Sequence, residues 1–248
     1  MHKRSSHKPY EHFASYWDLI AQENYEVTAL YLTLFKRYKK KVTSVLELGC
    51  GTGFNLERIE KLGCPTIVGV DLSEAMLKIA KQRVKNVSLI HGDMTHFADS
   101  ARYDFIFSAN DSVNHLMTLT AWQRFFSCAA AHLAPNGVFI FDILTPHFYK
   151  TFSKESGYLW EFDKCYLHFS LKEQGSRYTW DVLMFERDND QTYHLLKDTT
   201  EQRAVTPQQI ITMLRRAGFK KIKKFSDYEK PVTSRSDRIY FECSTVST

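Results

Sequence analysis

Three glycines on alternate positions, Gly49, Gly51 and Gly53, close the apolar run Val45-Leu46-Glu47-Leu48, with Cys50 inside the turn and a helix start behind it. Glycine is required where a Cβ would block a ligand's approach or where φ is positive, and a helix N-terminus offers free N–H groups. Such a turn brings backbone close to a small ligand. The spacing departs from the dinucleotide fingerprint G-x-G-x-x-G, because the third glycine comes one residue early and Phe54 holds the expected place. No Lys-Ser/Thr pair follows the glycines, which excludes a P-loop. Two carboxylates end later apolar runs: Asp71 in Val68-Gly69-Val70-Asp71-Leu72-Ser73, and Asp93 in His91-Gly92-Asp93-Met94. A further run, Tyr103-Asp104-Phe105-Ile106-Phe107-Ser108, leads into Ala109-Asn110-Asp111-Ser112-Val113-Asn114-His115, where an amide, a carboxylate and an imidazole gather.

Residues of this kind need elements that bring them to one edge. Runs at Ser44 to Leu48, Thr66 to Val70, Val87 to Ile90, Tyr103 to Phe107 and Val138 to Ile143 read as strands, and their near-continuous apolarity suits a parallel sheet covered on both faces. Between them, Ser73 caps a helix carrying Met76, Ile79 and Ala80, and Trp122, Phe125, Phe126, Ala129 and Leu133 recur at helical spacing up to Pro135-Asn136-Gly137. Two helices, Tyr10 to Ala21 and Val27 to Tyr38, precede the first strand. In open sheets of this class the ligand crevice lies outside the carboxyl ends of the strands, where the residues above fall. After Pro146 the period changes to two, in Tyr158/Trp160/Phe162, Tyr166/His168 and Tyr178/Trp180/Val182, which predicts antiparallel strands. From Phe148 to Arg203 there are 12 aromatics in 56 residues, about 21% against 14% for the chain, so this segment is both a candidate lid and a sheet stabilised by cross-strand aromatic pairs. Thr206-Pro207-Gln208-Gln209 then opens a helix with a capping box, and Phe219 to Phe225 and Arg238 to Ser244 read as a closing antiparallel hairpin. We expect one domain, core 1–147 and 204–248, with the β lid 148–203 inserted into it.

With these motifs in register, the chain resembles the class I S-adenosylmethionine-dependent methyltransferases. Their first motif is an acidic residue, a spacer and G-x-G-x-G. The resemblance implies an α/β fold, a Rossmann-like doubly wound sheet, mostly parallel with an antiparallel last strand. It assigns Glu47, Gly49, Cys50, Gly51 and Gly53 to S-adenosylmethionine, with Asp71 and Leu72 at the ribose and Asp93 and Met94 at the adenine. Asp71 suits that place physically, since a carboxylate at a strand's end can accept from two vicinal hydroxyls. Asn110 is expected beside the sulfonium through its backbone, and Asp111 and His115 face the methyl acceptor as catalytic candidates. The opening Tyr10-Glu11-His12-Phe13-Ala14-Ser15-Tyr16-Trp17-Asp18 is similar to Y-x-x-F-A-x-x-Y-D of small-molecule members, with Tyr10 at the cofactor's carboxylate and Trp17 where Tyr is usual.

A neutral thioether leaves in such a transfer, so alignment outweighs acid assistance; Asp142, His147 and His168 join Asp111 and His115 as possible bases. Tyr158, Trp160 and Tyr178 are the candidate acceptor contacts. The expected substrate is a small molecule methylated on nitrogen or oxygen. An RNA or protein substrate is the alternative, from the clusters Lys36-Arg37-Tyr38-Lys39-Lys40-Lys41 and Lys220-Lys221-Ile222-Lys223-Lys224; a non-catalytic cofactor-binding regulator is the other. The net excess of 33 − 28 = 5 positive charges is mild, and the bland reading is a cationic helix end and a solvated strand, so nucleic acid is not the favoured partner. No apolar run reaches the roughly 18 residues of a membrane span, and no apolar stretch follows Lys3, Arg4 and Lys8, so a cytoplasmic protein is expected. Five cysteines without a C-x-x-C pair argue for reduced thiols and against a disulfide framework or a metal site.

Overall fold

The computed structural model describes residues 10–23, 25–188 and 192–245; Lys3, Arg4 and Lys8 lie outside them. Strands β1 (Ser44–Leu48), β2 (Thr66–Asp71), β3 (Ser88–His91), β4 (Tyr103–Ser108) and β5 (Leu133–Leu144) run parallel. With the late strands β10 (Lys221–Phe225) and β11 (Arg238–Ser244) they form a seven-stranded sheet in the order β10-β11-β5-β4-β1-β2-β3, in which β11 alone is antiparallel. Apolar side chains alternate to two buried faces, as the continuous runs predict. On one face Leu46, Ile106, Phe139 and Phe141 pack under helices α5 (Leu119–His132) and α7 (Pro207–Arg216). On the other, Val45, Phe105, Phe107 and Ile140 meet α2 (Tyr25–Tyr38) and α3 (Phe54–Lys61). Phe141 stacks on Phe241 at 4.9 Å, which locks β11 beside β5.

The second sheet is an antiparallel meander, β6 (Tyr158–Phe162), β7 (Cys165–Gln174), β8 (Arg177–Arg187) and β9 (Tyr193–Arg203). A short helix α6 (Pro146–Phe152) leads into it from β5. The predicted helix Tyr10 to Ala21 is instead a 3₁₀ turn, Phe13–Ser15, followed by α1 (Trp17–Glu23). The reason is lateral: the N–H groups of His12 and Phe13 both donate to buried Asp198 Oδ2 on β9, at 3.0 and 2.7 Å, so the segment is held by a strand rather than by its own helix ladder. The α5 pattern ends at His132, and β5 begins at Leu133 ahead of the Pro135-Asn136-Gly137 turn, with Asn136 at φ +64°. Helix α4 (Glu74–Arg83) takes its predicted Ser73 cap, and α7 its capping box from Thr206 and Gln209.

The two basic clusters meet acids on one flank. Lys223 pairs with Glu242 at 3.1 Å, and Arg37 pairs with Glu229 at 2.5 Å. Lysines on the edge strand β10 also discourage pairing with another chain. The five cysteines are free thiols, and no helix of the described residues is long and apolar enough to cross a membrane.

Candidate active site

After β1 the chain turns through Gly49, Gly51 and Gly53 at φ of +82°, +52° and +72°, the left-handed region that L side chains resist. The Gly49 and Cys50 N–H groups donate to the Val70 carbonyl at 2.8 and 3.0 Å, and the Gly51 N–H donates to Asp71 Oδ2 at 2.7 Å. Asp71 Oδ1 accepts from the Ser73 N–H at 2.8 Å. Burial raises the Asp71 carboxyl above its ordinary value, while these backbone N–H groups oppose that rise. A Cβ on Gly49 would stand 2.9 Å from Ser112 Cβ, so the turn and the loop after β4 touch because residue 49 is glycine. Gly49→Ala is therefore expected to lower stability by about 1–3 kcal/mol, read as a shifted urea midpoint at unchanged slope.

The ligand-facing features fit an adenosine-like cofactor. Leu72, next to the carboxylate, is 70% exposed and Ile90 38%, leaving apolar surface for a flat ring. Asp93 is partly exposed, with Oδ1 accepting the Thr95 N–H at 2.8 Å, and Met94 packs against the core beside it. Gly51 has nothing nearer to a built Cβ than Met76 Sδ at 4.0 Å, so that side of the turn is open to close approach. Glu47 lies buried beneath the turn, one oxygen accepting from Asn55 Nδ2 at 2.9 Å and the other without a partner among the described residues; burial pushes its carboxyl well above the carboxylate range. Cys50 is a buried thiol, raised by burial, packed so closely with Leu56 on Gly69 that a Cβ there would meet Leu56 Cδ1 at 2.5 Å.

Past β4, Asn110 and Asp111 both take positive φ, +55° and +49°, and this reversal folds His115 back over the strand ends. His115 Nδ1 faces the Glu201 carbonyl at 3.0 Å, which can only accept, so Nδ1 carries the hydrogen. The Tyr10 hydroxyl donates to the free Nε2 at 2.7 Å. Burial lowers the His115 pKa despite nearby Asp111, and raises that of Tyr10, so both are neutral groups near pH 7. Tyr10 thus reaches His115. Asp111 is committed: Oδ1 accepts from Arg238 Nη2 at 2.8 Å, Oδ2 from Gln202 Nε2 at 2.7 Å, and its N–H donates to Asp142 Oδ2 at 2.9 Å. Each of its oxygens thus already has a donor from within the chain. Asp142 is fully buried, bonded to Arg238 Nη1 and to the Tyr31 hydroxyl, and is closed to substrate.

The other sequence candidates scatter. His147 sits on α6 near Asp237, and His168 lies under Gly157 on β7. Tyr178 is buried with its ring stacked on Tyr149 at 4.4 Å, which makes it a packing residue. Trp160 packs with Phe162 and Phe169 in the cluster that holds Phe13, and Tyr158, about half exposed, lies on Phe152 at 4.7 Å. Gln202, Arg238 and Asp198 were unmarked in the sequence, since each is a single polar residue in a strand and belongs to no motif. The Thr52 hydroxyl donates to Asp18 at 2.7 Å, and Arg83 pairs with the same carboxylate, so the last residue of the opening motif ties α1 to the glycine turn.

A methyltransferase-domain family model matches residues 45–137. A Streptomyces fradiae enzyme, dTDP-3-amino-3,6-dideoxy-alpha-D-glucopyranose N,N-dimethyltransferase, is 32% identical over 134 residues; the match spans 52% of this chain and 52% of that protein's length. A Bacillus subtilis protein, provisionally described as a methyltransferase, is 25% identical over 96% of this chain and 98% of its own. A crystal structure of an S-adenosylmethionine-dependent methyltransferase from Clostridium acetobutylicum superposes with a TM-score of 0.79 at 23% identity, over 96% of this chain and 99% of that one, a likeness of fold.

Proposed function

Since the chain belongs to the class I S-adenosylmethionine-dependent methyltransferases, we propose that it methylates a nitrogen or oxygen of a small molecule held between the cofactor cradle and the antiparallel sheet. The observation that carries this reading is His115: a neutral imidazole at the strand ends, its Nε2 a proton acceptor, walled by Tyr10 and the inserted sheet. The glycine turn, Asp71, Leu72, Ile90, Asp93 and Met94 would hold the cofactor, which supplies an electrophilic methyl on a sulfonium. Positioning by these residues accounts for roughly 7–11 kcal/mol of a transfer barrier, and a base for about 10²–10⁴ in rate. The acceptor's proton passes to the Tyr10 hydroxyl as that hydroxyl hands its own to His115 Nε2, so the imidazole ends protonated. Arg238 and Asp111 fix the loop that carries His115, and Tyr10 covers it.

Because burial lowers the His115 pKa, the acid limb of kcat/KM is expected below the ordinary histidine value of 6.5, and His115→Gln removes that limb. An acid limb at or above 6.5 would contradict the assignment. The wider test is calorimetric titration with S-adenosylmethionine, its demethylated product and NAD, then methyl transfer to small amines and alcohols, including nucleotide-linked amino sugars such as the Streptomyces fradiae relative's name specifies. Saturable binding of both sulfur compounds without NAD, followed by turnover of a small acceptor, supports the proposal. Turnover restricted to RNA or protein overturns it.

A further inference from the structure

Four side chains converge on the amide of Gln202, a buried residue of β9 that the transfer described above does not use. Trp180 Nε1, which can only donate, lies 2.7 Å from Gln202 Oε1, and the Tyr149 hydroxyl donates to the same oxygen at 2.8 Å. These two donors settle which end of the amide is oxygen. Its nitrogen therefore faces Asp111 Oδ2 at 2.7 Å and His115 Nε2 at 3.2 Å. An amide N–H only donates, so it is compatible with a lone pair on Nε2 and not with a proton there. On the ring's other edge the Glu201 carbonyl demands a proton on Nδ1. Adjacent residues of one strand, 201 and 202, thus specify the same tautomer from opposite sides.

The electrostatics give Gln202 a second task. The charged and titratable groups facing His115 are Tyr10 from the N-terminal segment, Asp111 from its own loop and Asp71 from the end of β2. Asp111 and Asp71 both favour an imidazolium, which has no lone pair to offer. Gln202 and Arg238 each occupy one oxygen of Asp111, so this carboxylate is not free to accept a proton-bearing Nε2.

We propose that Gln202 is a positioning residue for methyl transfer: from the inserted sheet it holds His115 as the neutral Nδ1–H tautomer with the Nε2 lone pair turned to the Tyr10 hydroxyl. This rests on His115 as the group that, through Tyr10, takes up the substrate's proton. Gln202→Glu tests it, because one carboxylate oxygen still serves Trp180 and Tyr149 while the other sets a second carboxylate against Asp111 Oδ2 and His115 Nε2, replacing the donor to the ring with an acceptor for its proton. The readout is the side-chain ¹⁵N shifts of His115 in histidine-labelled protein, assigned by their loss in His115→Gln. The native protein is expected to show a neutral Nδ1–H ring at pH 7.5. In Gln202→Glu the titration midpoint is expected to rise by about 1–3 pH units, and the acid limb of kcat/KM to rise with it while cofactor affinity holds. In Gln202→Leu, folded by circular dichroism, the Nδ1–H tautomer that Glu201 still requires is expected to persist, with the Nε2 shift moved by loss of the amide donor.

Unchanged His115 shifts in both folded variants overturn the proposal, even if His115→Gln still removes the acid limb and so leaves the base assignment standing. If the shifts move as expected and the acid limb stays, Gln202 positions the ring but His115 is not the base, and the assignment on which the proposal rests falls.

Discussion

In an Arg238→Met variant the free energy of unfolding is expected to fall by about 3–5 kcal/mol, because removing one partner of a buried ion pair strands the other. The guanidinium bonds Asp142, which water does not reach, and Asp111 at 2.8 Å. The Tyr31 hydroxyl at 2.6 Å and the Asp111 N–H at 2.9 Å remain on Asp142 but carry no full charge. Burial already raises the Asp142 pKa, against the pull of Arg238, and losing that cation raises it further. A folded-state value above the unfolded one means that the native state prefers the protonated acid, so the stability tied to that proton is present at low pH and lost as pH rises through the folded value. The deficit of Arg238→Met is therefore expected to be largest at pH 8 and smaller at pH 5, read by urea unfolding. Equal deficits at the two pH values would show that Asp142 is not its source.

Asp71→Ala is expected to weaken S-adenosylmethionine binding by about 10- to 150-fold, the loss of a charged hydrogen-bonding partner worth about 1.5–3 kcal/mol. The same carboxylate receives the Gly51 and Ser73 N–H groups at 2.7 and 2.8 Å, so the turn loosens as well. Asp71→Asn separates the two contributions, since its amide oxygen keeps one backbone bond and gives up the charge. Calorimetry on both variants, with urea midpoints as the control for folding, makes the comparison. Undiminished affinity in a folded Asp71→Ala protein would remove Asp71 from the cofactor site.

The cradle was legible in the sequence because its constraints are local: positive φ at Gly49, Gly51 and Gly53, and a carboxylate at the end of β2, are dictated by a few adjacent residues. The strands were legible from apolar continuity, and β11 was read from Arg238 to Ser244 as observed. The N-terminal segment was misread as one helix because Asp198, 185 positions away from Phe13, takes its N–H groups, and no local period records that. Gln202 and Arg238 escaped for the same reason. On β9, Gln202 alternates with Asp198 and Thr200 on the covered face, a pattern that reads as a solvated edge until the partners from Asp111, His115 and Tyr149 are placed against it. The ion pair of Asp111 was hidden in the same way, because its cation lies 127 positions downstream.

The polar cluster is drawn from residues 10, 111, 115, 142, 202 and 238, whereas the recognisable family segment ends at residue 137. The cradle lies between strands that follow one another in sequence, while the counter-charge for Asp111 and Asp142 comes from β11, which lies between β10 and β5. A chain halted short of residue 238 keeps every glycine of the turn and lacks the cation that neutralises its interior.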